Sequence, residues 1–523
     1  MSDAEERDNH GSLEAQEVDM LSPGKKNNSP MSTRPWFARW WYPPITSQST
    51  FMMRTLVNRP DVRLRAIDFL FGMDDPLARK WSGIHIVCSR LEAKFEALLR
   101  VEFGVIWKIL KREHGTPAKG YEVWHWCLAV LQEFQKLQSG TDGGGSGSMD
   151  NIFQNLIKGN LAQFTTAEKD HALLAIFAVV CWSTMALDPD LDLPARAGQT
   201  ERSPSSTVGH DRHLSFHAKG MSLRDESSKM PLSQTARRPI AMVFRVLRGG
   251  LEGSGHSGST VGDTEIGTIH ESSVNFFSLY TISRVRIKWV EDLASHLVFD
   301  RQYRTLSVFC LPSFCVGTIL QAQKISVLQQ VTSEVLPSKS PMHTLGRDPS
   351  SVHREVLLSY RLLFGQSPGS RKLALKLLKQ LKESSGAIDP FLVTICSTPL
   401  AKSRFLRPLS GSPLPNDIFP TSSLDLDNCL VESDTYSSQD DFPCFGQRLL
   451  AVQHYNLRQQ PRRIRDLWRD RRNPLQWYTF WAVLWVGGIT IVLGVLQLAA
   501  AVVQAYYSAW PSEQVRLTTR QFA

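Results

Sequence analysis

Residues 477–509 read WYTFWAVLWVGGITIVLGVLQLAAAVVQAYYSA, a run without one Asp, Glu, Lys, Arg or His. No other stretch constrains the chain so strongly. A helix of about 20 predominantly apolar residues crosses the hydrocarbon core of a bilayer, and this run exceeds that length. Trp477, Tyr478, Trp481 and Trp485 stand at one end and Tyr506, Tyr507 and Trp510 at the other. Aromatic residues at both ends match the belts that form where a helix passes the two headgroup layers. A buried helix of a soluble core would be expected to show a charged stripe, and this one shows none. The run predicts one C-terminal transmembrane helix over 477–509.

The flanks give its direction. Residues 458–472 read RQQPRRIRDLWRDRR, with seven arginines against Asp466 and Asp470, whereas beyond the span only Arg516 and Arg520 occur, with Glu513. Positive charge concentrates on the cytoplasmic side of a span, so the bulk of the chain is expected in the cytosol and residues 510–523 on the far side. Residues 1–19 are polar and acidic and carry no signal-peptide pattern. The expectation is a tail-anchored protein, its organelle open.

Inside the span, Gly487, Thr490, Gly494, Gln497, Ala501, Gln504 and Ser508 recur at alternating steps of three and four. Lipid supplies no hydrophobic drive for helix association, so small residues and cross-helix amide bonds provide it. The pattern predicts a seam for a second copy of this helix or for a partner membrane helix.

Charge at first suggests a different partner. The chain carries a formal net charge of +9 over 523 residues, a balance compatible with nucleic-acid binding. About seven of those charges lie between residues 446 and 523, where ten arginines face two Asp and one Glu. The basic character therefore belongs to the membrane flank. There, Arg462, Arg463, Arg465, Arg469, Arg471 and Arg472 are expected to meet anionic lipid headgroups, each gaining about 1 kcal/mol. No nucleic acid is expected.

Upstream, the chain divides by composition. Residues 1–34 are rich in Ser, Asn, Asp and Glu and read as disordered. Residues 35–194 read as a helical cytosolic domain. It opens on PWFARWWYPP over 35–44, which packs onto the helices after it or docks on a membrane or partner. In LEAKFEALLRVEFGVIWKILKRE, Leu91, Phe95, Leu98, Leu99, Glu102 and Ile106 fall at helical spacing, and YEVWHWCLAVLQEFQKLQ starts another helix with His125, between Trp124 and Trp126, expected to be a buried or half-buried helix residue rather than a ligand. TDGGGSGS over 141–148 is a linker. Thr165 and Glu168 form a capping-box start to ALLAIFAVVCWSTMAL, which ends before Pro189. That run is short for a span and is bounded by Asp170 and Asp188, so it reads as a core helix.

Residues 195–238 read as a disordered insert, and a second Gly- and Ser-rich gap covers 249–262. Residues 239–400 read as a mixed α/β unit. Strands are expected near 284–309, where Val285, Ile287 and Trp289 alternate with Arg284, Arg286 and Lys288 and a hairpin turns at 300–303. Helices are expected near 352–382. There RKLALKLLKQLK sets Leu373, Leu377, Leu378 and Leu381 on one face with Lys372, Lys376, Lys379 and Lys382 around it, a pattern that suits either a core cover or an anionic membrane surface. Residues 401–445 read as a flexible tether and 446–472 as an Arg-rich juxtamembrane segment. The fold class is thus mainly α with a small α+β (β-hairpin) unit, long disordered inserts and one transmembrane helix.

Several segments carry a resemblance. FGQRLLAVQHYNLRQQP followed by RDLWRDRRNPLQWYTFWAVLWVGG is similar to the C-terminal end of a group of functionally unassigned proteins of filamentous ascomycete fungi. RIKWVEDLASHLVFD, RTLSVFCLPSFC and REVLLSYRLLFGQ resemble the same group more loosely. The resemblance implies a fungal source and a membrane anchor and supplies no catalytic residue.

Chemistry is sparse. No G-x-S-x-G, H-E-x-x-H, Walker loop or dinucleotide fingerprint occurs. The eight cysteines form no C-x-x-C pair, and Cys310, Cys315 and His296 match no standard zinc spacing. Scattered thiols without a pairing pattern fit a reducing cytosol. No cofactor, metal or catalytic residue is assigned. The expected role is a membrane-anchored cytosolic interaction or scaffold protein. The alternative is a phospho-regulated signalling or stress-response component, and an enzyme with scattered catalytic groups stands behind both.

Overall fold

A computed structural model describes residues 61–71, 82–110, 123–139, 147–158, 163–191, 232–240, 267–320, 351–400, 416–424, 430–459 and 474–509, with Phe216, 242–244 and Leu414 and small gaps within these ranges. All of them belong to the second of two compact units, Pro43–Ala523. The N-terminal segment 1–34, the aromatic stretch 35–44, linker residues 141–146, the gap 249–262 and the arginines 462–472 lie outside the described residues.

The first elements are α1 (Asp61–Phe71), α2 (Ser82–Phe95), α3 (Val105–Ile109), α4 (Val123–Ser139), α5 (Met149–Ile157) and α6 (Thr166–Thr184). Helix α6 is the axis of this group. Thr165 Oγ1 accepts from the Glu168 amide and the Glu168 carboxylate accepts from the Thr165 amide, so the capping box read from sequence closes on both sides. Every residue from Ala172 to Thr184 is buried. A helix apolar on all sides must be wrapped on all sides, and α2, α3, α4 and α5 supply the wrapping. On α4, Trp124 and Trp126 are fully buried on either side of half-buried His125, and the Trp124 ring meets Phe95 edge-on at 5.1 Å.

The helix expected through 91–106 is broken. After α2 the chain makes two 3₁₀ turns, Glu96–Leu99 and Val101–Phe103, with Arg100 extended between them at φ −62°, ψ 149°. Continuing the helical stripe Leu91, Phe95, Leu98 would bring the Glu102 carboxylate to the core face. The break leaves Glu102 exposed and turns Phe103 inward, which avoids the cost of burying an unpaired charge.

The insert placed at 195–238 packs at its far end. Helix α7 (Leu232–Ala236) buries Leu232 and Ala236, Pro239 bridges Ser148, and the Phe216 ring lies 4.7 Å from Phe177.

The second group begins with β1 (Thr268–His270), α8 (Glu271–Val274), α9 (Phe276–Thr281), β2 (Arg286–Val290), β3 (Phe299–Asp300), β4 (Thr305–Phe309) and α10 (Pro312–Leu320). Strands β3 and β4 form the expected hairpin, and Asp300 Oδ1 accepts the Gln302 and Tyr303 amides in its turn. Strand β2 adds parallel to the other side of β4, Ile287 opposite Leu306. Arg286 and Lys288 are exposed and Ile287 and Trp289 half-buried, as the alternation requires. The sheet is thus a three-stranded mixed one rather than a hairpin alone.

Helix α11 (Ser351–Tyr360) runs into a π turn over Arg361–Gly365, then α12 (Pro368–Ser385) and α13 (Pro390–Ser397) come next. The two halves are one body. The Phe71 and Phe314 rings meet at 5.9 Å, and the Leu293 and Ala294 amides donate to the Met185 and Ala186 carbonyls at 2.7 and 3.0 Å.

The largest departure concerns residues 401–472. The tether expected at 401–445 is in good part a strap built into the core: Ile418, Phe419, Phe442 and Phe445 are fully buried. Its strand β5 (Thr435–Ser437) pairs antiparallel with β1, and Glu355 on α11 accepts the Cys444 and Phe445 amides at 2.8 and 3.2 Å. The juxtamembrane segment likewise begins as a core helix, α14 (Gly446–Arg458). Gln453 bonds the free edge of β1 like another strand: its Nε2 donates to the Thr268 carbonyl at 2.9 Å and its Oε1 accepts from the His270 amide at 2.7 Å. Buried Asn456 donates to the Ser273 carbonyl and Ser278 Oγ and accepts from Ser283. The last described element is α15 (Pro474–Ala509).

Gly446 lets α14 start where it does, because an added Cβ would overlap the Ser438 carbonyl oxygen, a backbone atom that cannot rotate away. Gly446→Ala is expected to destabilise the folded body by about 1–3 kcal/mol, the range for overpacking. Gly494→Ala, where a Cβ meets open space, serves as control. Chemical denaturation followed by tryptophan fluorescence measures both, and equal midpoints would contradict this seating of α14.

Candidate functional site

Helix α15 is 36 residues long, about 54 Å at 1.5 Å per residue, against about 30 Å of bilayer hydrocarbon. Its segment Trp477–Ser508 is the one candidate span among the described residues, and no residue of the most apolar window is buried. That separates it from α6, whose apolar run Ala172–Thr184 is enclosed. Val486, Ile491, Val495, Leu498 and Tyr507 each expose more than half of their surface. Trp477 packs on Tyr478 and Trp481 at 5.2 and 6.0 Å, and Tyr506 on Tyr507 at 5.9 Å, forming an aromatic group at each end.

The structure places Gly487, Thr490, Gly494, Gln497, Ala501, Gln504 and Ser508 on this one uninterrupted helix. At 100° per residue all seven fall within about 100° of arc. Thr490 Oγ1 donates to the Val486 carbonyl at 2.8 Å and Ser508 Oγ to the Gln504 carbonyl at 2.7 Å. These hydroxyls are therefore satisfied within the helix, and the cross-helix bonding capacity of the seam rests on Gln497 and Gln504. Nothing lies within 4 Å of a Cβ built on Gly487 or Gly494, so a second backbone has room to approach there. The six flank arginines, Arg462, Arg463, Arg465, Arg469, Arg471 and Arg472, lie outside the described residues.

The folded body holds polar groups that composition does not reveal. His296 and Ser359 are fully buried, with His296 Nε2 at 2.9 Å from Ser359 Oγ. The pair superficially suggests an activated nucleophile. The Phe309 amide, however, donates to Nδ1 at 3.2 Å, so the network assigns the ring proton to Nε2, and the serine donates to the Val356 carbonyl at 2.7 Å. The imidazole thus offers Ser359 a proton instead of taking one, and burial, with Arg448 nearby, lowers its pKa to about 3. The pair is structural.

Asp389 caps two helices at once. Its carboxylate accepts the Phe391 amide at 2.9 Å at the start of α13 and the Ser313 amide at 2.7 Å and hydroxyl at 2.5 Å at the start of α10. Desolvation outweighs these bonds and raises its pKa to about 6. The described cysteines are free thiols. Burial pushes Cys88, Cys127 and Cys310 up to about 12, which leaves them protonated and unreactive at neutral pH. Among the described residues no group of three or more His, Cys, Asp or Glu side chains is placed to hold a metal ion.

No family model, no curated protein and no solved structure matches the chain.

This geometry carries two expectations. In a membrane two-hybrid or crosslinking assay of the helix, Gly494→Leu is expected to weaken association about as much as Gln497→Leu, each amide bond being worth about 0.6 kcal/mol. Val492→Leu, on the opposite face, is expected to change nothing, and equal signals from all three would reduce the seam to composition. The second concerns pH. A native pKa near 6 against an unfolded value near 3.8 means that Asp389 favours the folded state below pH 4, an advantage of about 3 kcal/mol lost as pH rises through 6. His296 acts oppositely, its contribution present above pH 6.5 and lost as pH falls towards 3. Between pH 4 and 6 the two slopes oppose each other. Asp389→Asn is therefore expected to become more stable with rising pH in that window relative to wild type, read from denaturation midpoints. Parallel curves would show that Asp389 is not buried as described.

Proposed function

We propose that this chain is a membrane-anchored interaction protein. Helix α15 crosses the bilayer and the body formed by residues 61–458 is held on its cytosolic side. One observation carries the reading: α15 is long, uncharged and exposed along its whole apolar window, a surface that water does not tolerate and a bilayer does. Two further features support the orientation. The seven arginines of 458–472 precede the span, and the described cysteines are free thiols, the form expected in a reducing compartment. The geometry of the buried polar groups favours a binding role over catalysis. His296, Ser359, Asp389 and Arg361 spend their hydrogen bonds on fixing backbone and neighbouring side chains. The seam would join two copies or one copy and a partner helix, and the arginine flank would meet anionic headgroups.

Deleting residues 473–523 is expected to move the protein from the carbonate-washed membrane pellet to the soluble fraction, measured by fractionation and immunoblotting. The cut falls after α14, so the packed elements stay intact. Retention of the truncated, folded chain in the pellet would reject the anchor. A glycan acceptor added after Ala523 reads the orientation in a membrane of the secretory pathway, and the expected result is glycosylation.

A further inference from the structure

The sequence of helix α12 suits either a core cover or a membrane surface, and the structure gives it both faces. Ala374 and Leu378 are buried and Leu373, Leu377 and Leu381 half-buried, against α9, α13 and the π turn. Lys372, Lys376, Lys379 and Lys382 all point to solvent, with Leu375 exposed at 44% among them and Glu383 as the one acid at the helix end. At 100° per residue the four lysines and Leu375 occupy about 120° of arc.

Two observations distinguish this face from an ordinary solvated one. Lys94, Lys108, Lys136 and Lys169 each sit in an ion pair and Lys158 and Lys288 stand singly without one, whereas α12 gathers four ammonium groups on one face, none of them held by a partner among the described residues. Moreover, Lys372/Lys376, Lys376/Lys379 and Lys379/Lys382 are like-charge neighbours at steps of four and three, a spacing that weakens a helix. Among the described residues only Glu383, four residues after Lys379 on the same face, offsets that repulsion, and an anionic surface would offset the rest.

We propose that the lysine face of α12 docks on anionic lipid headgroups, with Leu375 seated at the headgroup boundary. The proposal rests on the membrane reading above, which supplies the proximity. Arg458, the last residue of α14, and Pro474, the first of α15, are separated by fifteen residues, which span about 50 Å at full extension. The body cannot leave the neighbourhood of the bilayer, so each weak lysine contact forms against a surface already at hand.

The test uses the full chain in vesicles of phosphatidylcholine alone or mixed with phosphatidylglycerol, neither of which carries a primary amine. Lysines are acetylated briefly and the extent at each is read by mass spectrometry. In the anionic vesicles, Lys372, Lys376, Lys379 and Lys382 are expected to lose about fivefold in modification rate at low salt. Protection should fade near 1 M salt, where the screening length falls to about 3 Å. Lys136, exposed on α4, is the internal reference. Neutralising two of the four in Lys376→Gln/Lys379→Gln should weaken protection of the remaining pair. Equal modification in both lipids overturns the proposal, as does protection found in native membranes but absent from protein-free anionic vesicles, which would assign the face to an acidic protein. Carbonate extraction of the same samples reads the anchor separately. An inserted chain with unprotected lysines fails only the docking proposal, whereas a chain that washes off but is protected while vesicle-bound fails only the anchor.

Discussion

A buried cation governs how the second half of the molecule is assembled. Arg361 is fully enclosed at the end of α11, where its Nε and Nη2 donate to Glu432 and its Nη1 to the Ile395 and Thr398 carbonyls at 2.7 Å. The donors divide between two elements: Glu432, which takes two of them, lies on the strap, and the two carbonyls end α13. Gly365 leaves the volume the guanidinium fills, since a Cβ there would come to 2.5 Å from Arg361 Cζ. An enclosed charge without its partners costs about 3–5 kcal/mol, so the strap and α13 cannot move apart independently. Glu355, one turn and a half earlier, fixes the strap again through the Cys444 and Phe445 amides. Helix α11 therefore acts as a spine whose polar side chains determine where chain from far away must lie.

This explains what the sequence made legible and what it hid. Signals that act over a few residues were readable: the Thr165/Glu168 capping box, the continuous apolar surface of α6, the alternation along β2, the Asp300 turn and the uncharged α15. The strap was not, because its buried Ile418, Phe419, Tyr436, Phe442 and Phe445 obey no period and lie among Pro, Ser and Asp, a composition that imitates a linker. Its pairing with β1 is three residues long and joins His270 to Thr435. No local pattern announces so distant a partner. The break at Arg100 is hidden for a different reason. The helical stripe holds up to Leu98, and continuing it would bury the Glu102 carboxylate that the break leaves exposed.

For the candidate site the balance differs. Every residue of the proposed seam is identifiable from spacing alone, because one uninterrupted helix has a single period. The structure adds that Thr490 and Ser508 already bond their own backbone, which leaves two glutamines and two glycines to carry the proposed association. The buried histidine, aspartate and arginine of the body had no sequence signature. Single polar residues at apolar positions become meaningful only once their partners are brought beside them.

The strap and α14 also set a schedule for synthesis. The core stays incomplete until β5 and α14 exist, since β1 has no neighbour on either edge and Arg361 no counter-charge before then. Only fifteen residues separate Arg458 from Pro474, so at about 5–20 residues per second synthesis of the apolar helix begins about 1–3 s after α14 is complete. Closing the fold and releasing the apolar α15 are thus nearly simultaneous events for the nascent chain. A delay in the first leaves unpaired strand edges and an unshielded apolar helix on the same molecule, the combination most prone to aggregation.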